Sequence, residues 1–310
     1  MRADEAALAT SVCGIALRNP VIAASGTFAY GIEFEKLLDL NSLGGLVVKG
    51  LSREPIEGNP APRVFEAASG MINSIGLQNI GVRAFVRDKL PALAKLKTAV
   101  LANVFGYRTE DYVEVVRVLE DHEGLAGYEI NVSCPNTSHG GIYFSSDPAL
   151  LAEVTAAVKS VARRPVMVKL SPNVAAIEPL AQAAESAGAD AISLVNTLIA
   201  LSIDAHTRRP VIGAGLGGLS GPAIKPIALR LVWQAARAVK IPVIGLGGIA
   251  SGEDAAEFLI AGASAVQVGT ATFWDPGSPV RIAEELAEFL RREKIGSVRE
   301  LVGTLNMGTH

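Results

Sequence analysis

The chain has 310 residues, 49% of them apolar, and a formal net charge of −3. The apolar content is ample for a sizeable core, and the lack of any basic run argues against a nucleic-acid footprint. No apolar stretch reaches the ~18–20 residues of a membrane span, and two cysteines, Cys13 and Cys134, neither frame a disulfide scaffold nor hold an iron–sulfur cluster.

The first segment, 1–18, reads as an N-terminal extension. Its start, Met1-Arg-Ala-Asp-Glu-Ala, lacks the basic-then-apolar pattern of a signal peptide. A reducing, cytoplasmic setting is expected. Cys13 sits among Val12, Gly14 and Ile15 in an expected hairpin and reads as a small buried hydrophobe. The four histidines, 122, 139, 206 and 310, show no metal-ligand spacing, and no metal is expected.

Apolar, β-branched runs then recur at 21–24, 45–48, 99–104, 128–132, 166–170, 191–195, 243–246 and 265–268. Stretches of helical period separate them, among them 150–162, 177–187, 227–239 and 254–261. Such alternation signals a parallel sheet covered by helices. Eight strands fit an α/β fold of the (β/α)8 TIM-barrel type better than an open sheet. With no linker or repeat visible, one domain over 1–310 is expected. The typical barrel needs ~250 residues. The surplus falls in the extension and in long loops after strands 2, 4 and 6. Two of these, 51–80 and 198–222, are rich in Gly, Pro and Asn. Loops after strands lie on the catalytic face, so they read as a substrate cover; merely decorative loops are the alternative.

Polar or glycine positions end every run. In order they are Ser25-Gly26, Lys49-Gly50, Asn103, the group Asn131, Ser133 and Cys134, then Lys169 with Ser171, Asn196-Thr197, Gly247-Gly248 and Gly269-Thr270. In a barrel these ends converge on one mouth. A single lysine at a strand end is as often solvated, or partner to a core carboxylate. Two of them, Lys49 and Lys169, point to a bound anion or an anionic reduced cofactor. Gly245-Leu-Gly-Gly-Ile-Ala and Gly269-Thr-Ala-Thr suit a phosphate held by backbone N–H groups after strands 7 and 8. The first also matches Gly-x-Gly-x-x-Ala, and 213–218 matches Gly-x-Gly-x-x-Gly. The first is not followed about 20 residues on by the acidic residue of a dinucleotide site, and the second does not lead straight into a helix, so a monophosphate is preferred. Cys134 lies in a turn with Ser133, Pro135 and Asn136. No histidine is fixed beside it, and His139 falls in the glycine-bracketed loop 138–141. A cysteine general base therefore suits these residues better than a cysteine–histidine pair.

Four motifs carry a family likeness: Asn73-Ser-Ile-Gly-Leu-Gln-Asn79, Asn131-Val-Ser-Cys-Pro-Asn136, Asn196-Thr197 with Gly217-Gly-Leu-Ser-Gly-Pro-Ala-Ile-Lys-Pro226, and Gly245-Leu-Gly-Gly-Ile249. On these the chain resembles class 1 dihydroorotate dehydrogenases, and more closely the class 1B catalytic subunit. The resemblance implies an FMN enzyme that oxidises dihydroorotate to orotate in pyrimidine biosynthesis. Cys134 would take the C5 proton while hydride passes from C6 to flavin N5. Ser25, Lys49, Gly50, Asn103, Asn131, Lys169, Val195, Gly221, Gly247, Gly248, Gly269 and Thr270 match flavin-binding positions. Lys49, Asn73, Ser74, Ile75, Gly76, Leu77, Asn131, Asn136, Asn196 and Thr197 match positions around the substrate. Class 1B further implies a partner subunit carrying FAD and a [2Fe–2S] cluster, which passes electrons to NAD+, around a homodimer core in a heterotetramer. A class 1A-like homodimer reduced by fumarate, and a barrel that binds a phosphorylated ligand without redox work, are the alternatives. Two departures fall in the expected cover. Tyr143-Phe-Ser-Ser146 replaces a Phe-Gly ending, and Ala200-Leu201 stands where Gly-Met is common.

Overall fold

All eight apolar runs become parallel strands of one closed barrel in a computed structural model, which describes residues 7–133, 144 and 146–308. They are β1 (Val21–Ala23), β2 (Gly45–Val47), β3 (Ala99–Val104), β4 (Gly127–Asn131), β5 (Val166–Lys169), β6 (Ala191–Leu194), β7 (Val243–Leu246) and β8 (Ala265–Val268). Neighbours in sequence are neighbours in space, and β8 pairs with β1 to close the ring. This is the expected (β/α)8 architecture.

The expected helices appear as Pro148–Lys159, Glu178–Ser186, Lys225–Ala238 and Gly252–Ile260, joined by Thr109–Glu120 and Ser278–Arg292. Three of these starts lie two residues earlier than hydrophobic period alone places them, because caps and prolines set them, and that of Glu178–Ser186 lies one residue later. The Asp147 carboxylate accepts the backbone N–H groups of Ala149 and Leu150, with Pro148 at the first helical position. Ser251 and Asp254 form a reciprocal capping box. No helix among the described residues is long and apolar enough to cross a membrane.

The barrel has an apolar floor. Ile22, Val47, Leu101, Met167, Ala191, Ile244 and Ala265 meet inside it, and Val12 and Leu17 seal it from below. Those two come from the antiparallel hairpin Thr10–Val12 and Ile15–Leu17, so the N-terminal extension serves as a plug. Cys13 occupies the hairpin turn at φ 42°. It is only partly buried, yet burial, followed by the nearby Asp190 charge, pushes its thiol up to about 12. Such a thiol is unreactive.

The two long excursions do not stay irregular. Val64–Ala67 and Gly70–Asn73 form a hairpin. Gly70–Asn73 then pairs with Gly217–Ser220, which pairs with Leu198–Ala200. One four-stranded antiparallel sheet thus ties the excursion after β2 to the excursion after β6. The departure at Ala200-Leu201 falls at its end, with Ala200 opposite Gly217. Most of the excursion after β4, including the departure at Ser145, lies outside the described residues.

Candidate active site

Side chains two apart on a strand share a face. One step above the floor, that rule turns the barrel interior from apolar to polar. Leu101 is followed by Asn103, Met167 by Lys169, Ala191 by Ser193 and Ala265 by Gln267, while β4 contributes Glu129 above Gly127. All five side chains are buried, Glu129 completely.

Glu129 is the hub of this layer. Its carboxylate accepts Asn103 Nδ2 at 2.7 Å, Ser193 Oγ at 2.8 Å and Gln267 Nε2 at 2.7 Å. Lys169 Nζ lies 3.5 Å from Glu129 Oε1 and 3.4 Å from Ser25 Oγ. Burial by itself would raise the carboxyl, but the Lys169 charge and the three donated hydrogen bonds prevail and hold it below the usual carboxylate range. Sequence reasoning missed Glu129, Ser193 and Gln267. Each hides inside an apolar run, and the signal was its place two residues along from, or one strand beside, a floor residue.

Above this layer the strand ends make the mouth. Asn131 Oδ1 accepts the Ser133 backbone N–H at 3.2 Å and its hydroxyl at 2.6 Å. Asn196 Nδ2 donates to Ser133 Oγ at 2.6 Å, and the Thr197 backbone N–H donates to Asn196 Oδ1 at 2.8 Å. Asn73 Nδ2 reaches Gly218 O at 3.3 Å, a bond within the cover sheet. Ser74 is buried and accepts Asn59 Nδ2 at 2.9 Å. Ile75, Gly76 and Leu77 form a turn in which Gly76 and Leu77 have positive φ, and Ile75 O accepts the Asn59 N–H.

A third group gathers after β6, β7 and β8. A Cβ added to Gly248 would lie 2.8 Å from Gly221 O, and one added to Gly247 would lie 3.0 Å from Val195 Cγ2. An added Cβ on Gly221 would lie 3.6 Å from Thr270 Cγ2 and one on Gly269 3.6 Å from Ala24 Cβ, both ordinary contacts. The peptide N–H groups of Gly221, Gly247, Gly248, Gly269 and Thr270 donate no hydrogen bond among the described residues. Unpaired donors around glycine backbone suit a phosphate.

Lys49 stands apart. Its backbone N–H bonds Ala29 O at 2.7 Å, but its ammonium has no hydrogen-bond or ion-pair partner among the described residues. Burial, then the Arg63 charge, pushes it below its ordinary range. Gly50 backs onto Asn103, since a Cβ there would sit 2.9 Å from Asn103 Oδ1. The two expected lysines therefore divide. Lys169 has the core carboxylate partner that was the plainer alternative, and Lys49 has none among the described residues. Cys134 and Asn136, like His139 and Tyr143, lie outside the described residues.

These features fit FMN. The unpaired peptide donors answer a phosphate, the ring-edge groups of Asn103, Lys169 and Ser25 answer a polar heterocycle, and the buried Gln267 Oε1 still lacks a donor.

Comparison with known proteins agrees. The family described as dihydroorotate dehydrogenase matches residues 7–290. A protein of Solibacter usitatus named putative dihydroorotate dehydrogenase A (fumarate) is 80% identical over 96% of this chain and 98% of its own. Proteins of Citrifermentans bemidjiense and Geobacter sulfurreducens, each named dihydroorotate dehydrogenase B (NAD(+)), catalytic subunit, are 52% identical over 97% of this chain and 98% of theirs.

Proposed function

The chain belongs to the dihydroorotate dehydrogenase family, a family of oxidoreductases, and from that premise we propose that it oxidises dihydroorotate to orotate on FMN held in the barrel mouth. When bound, FMN would supply the two-electron acceptor. The observation that carries this reading is the pairing of unpaired peptide N–H groups after β6–β8 with a polar layer across the barrel beneath the mouth.

The residues divide the work by chemistry. Gly221, Gly247, Gly248, Gly269 and Thr270 hold the phosphate through their backbone N–H groups, with Val195 packed beneath Gly247. Ser25, Gly50, Asn103 and Lys169 line the ring, where a cation beside the pyrimidine edge favours the anionic reduced form. Asn73, Asn131, Asn136, Asn196 and Thr197 offer both donors and acceptors to the flat amide edges of the substrate. Lys49, partly desolvated and without a partner among the described residues, takes a negative group, and the Ile75–Leu77 turn presents backbone N–H groups to a carboxylate. Cys134 removes the C5 proton as general base. The cover sheet excludes water from the mouth.

For the electrons' exit we favour a class 1B arrangement in the cytoplasm. A homodimer core would dock a subunit carrying FAD and [2Fe–2S], which reduces NAD+. Relatives named as catalytic subunits support it, since that name implies a further subunit. The Solibacter relative's name favours a second reading, direct reduction of fumarate. Protein reconstituted with FMN, given dihydroorotate, is expected to release orotate and bleach its own colour. Failure to bind FMN or to bleach refutes the reaction. Reoxidation by fumarate with no partner present selects the second acceptor. Co-purification of a second subunit with iron, sulfide and FAD selects the first.

A further inference from the structure

We propose that Glu129 is a positioning residue for the flavin reaction: its carboxylate counters the Lys169 charge and thereby sets the redox equilibrium of the bound flavin. The inference rests on the flavin reading above and concerns a residue to which that reading gives no role in the reaction.

Glu129 cannot be an ordinary core residue. It is fully buried in a barrel whose next layer down is filled by Leu101, Met167, Ile244 and their neighbours. A buried carboxylate is costly unless paired and hydrogen-bonded. Here donors from β3, β6 and β8, all at 2.7–2.8 Å, fix both oxygens from three sides. The side chain is therefore immobile and stays charged.

Its two remaining effects both point upward. Asn103 commits its amide N–H to Glu129, which turns Asn103 Oδ1 toward Gly50 and leaves it as an acceptor. Lys169 Nζ, at 3.5 Å, is held loosely rather than in a tight pair, and its other contact is Ser25 Oγ at the end of β1. The ammonium is thus only partly neutralised and keeps donor capacity. Moving the negative charge away would leave Lys169 uncompensated in a low-dielectric site, which favours the anionic reduced flavin. Glu129 restrains that preference, so the reduced flavin can still give up its electrons.

The test is Glu129→Gln. The exchange is isosteric. The substituted amide would offer an NH2 group where the carboxylate offered an oxygen; a flipped Gln267 amide would receive one N–H with Oε1, an atom without a partner among the described residues, and Ser193 Oγ would receive the other. Spectroelectrochemical titration of the FMN-loaded variant is expected to show a higher midpoint potential. The shift should be at least tenfold in the equilibrium constant, about 30 mV for two electrons. Reduced FMN should bind tighter than oxidised FMN by the same factor relative to wild type. An unchanged or lower potential overturns the inference, as does equal weakening of both flavin states, which a merely structural role would produce. If Glu129→Gln does not fold, the reduced-minus-oxidised infrared difference spectrum of the wild type, with and without carbon-13 glutamate, decides. An ionised glutamate carboxylate perturbed by reduction supports the inference. A protonated acid, or no glutamate band, refutes it. A wild-type protein that takes up no FMN refutes the flavin reading itself, whereas a yellow wild type with an unshifted variant refutes the role of Glu129 alone.

Discussion

Gly248 is where backbone geometry meets the proposed phosphate site, and Gly248→Ala separates the two. Its φ is +83°, and an added Cβ would fall 2.8 Å from Gly221 O and 2.9 Å from both the backbone N and the Cβ of Lys225. The left-handed conformation costs a non-glycine residue roughly 1–2 kcal/mol. Forcing backbone apart adds roughly 1–3 kcal/mol, since carbonyl and helix cannot yield as a flexible side chain does. The total is roughly 2–5 kcal/mol. At about 2 °C per kcal/mol for a chain of this size, melting of the apoprotein should fall by roughly 4–10 °C. Gly303→Ala is the control, with φ +72° and nothing within 4 Å of the added Cβ. It carries the conformational cost alone and should lose roughly 1–2 kcal/mol. FMN fluorescence titration adds the second readout. Gly248→Ala should weaken binding at least tenfold by spreading the phosphate donors, while Gly303→Ala leaves it intact. If the two variants melt within about 1 kcal/mol of each other, the close approach of the β7 loop to Gly221 is not a real constraint.

Three further outcomes follow from other parts of the molecule. Cys134→Ser should cut dihydroorotate oxidation by roughly 10²–10⁴-fold while FMN stays bound; turnover within tenfold of wild type removes Cys134 as the base. Glu120, beneath the barrel, accepts Arg163 Nε at 3.0 Å and Arg164 Nη1 at 3.0 Å. Burial alone would raise its carboxyl, but hydrogen bonds from Arg163, Arg164 and Tyr128 hold it low. Its stabilisation is therefore present above the ordinary carboxylate range and is lost as pH falls through the depressed value. Glu120→Gln should lose about 2 kcal/mol at pH 7 in urea unfolding and flatten the acid limb; a parallel acid limb would count against it. Lys49 runs the other way. Its depressed value means the cost of burying an ammonium persists at neutral pH and is relieved as pH rises through that value toward ~10.4. Lys49→Met should therefore stabilise the apoprotein at pH 7 by roughly 1–3 kcal/mol and abolish orotate binding. A destabilised Lys49→Met would mean that the ammonium has a partner after all.

The barrel was legible because its strands are buried on both faces, so each reads as an uninterrupted apolar run, and because polar or glycine residues mark where each run leaves the core. The same feature hid Glu129, Ser193 and Gln267. A short run with one polar residue in it looks like an imperfect strand until the floor residues two positions earlier are known. Lys169 was read for its position at a strand end; its carboxylate partner sits 40 residues earlier and only the closed ring brings them together. The cover was legible as length and glycine content but not as structure. Its central pairing spans about 150 residues, as Ser220 and Met71 show, and local sequence carries no register for so distant a partner.

The placement of charge in this barrel argues for function on energetic grounds. A buried ion pair seldom stabilises a fold better than apolar side chains of the same volume. One layer lower the same strands supply such side chains, with Met167 beneath Lys169 and Leu101 beneath Asn103. Nothing in the packing forbids a second apolar layer. Instead β3, β4, β5, β6 and β8 each place a polar group at that height, and the groups satisfy one another at 2.7–3.5 Å with Gln267 Oε1 left over. A layer that costs stability, completes itself almost fully and leaves its spare groups below the mouth is a platform for something held above. The peptide N–H groups after β6–β8 and the Lys49 ammonium, all without partners among the described residues, match what the proposed function asks for: a flat polar ring with a phosphate at one end and an anionic substrate on its other face.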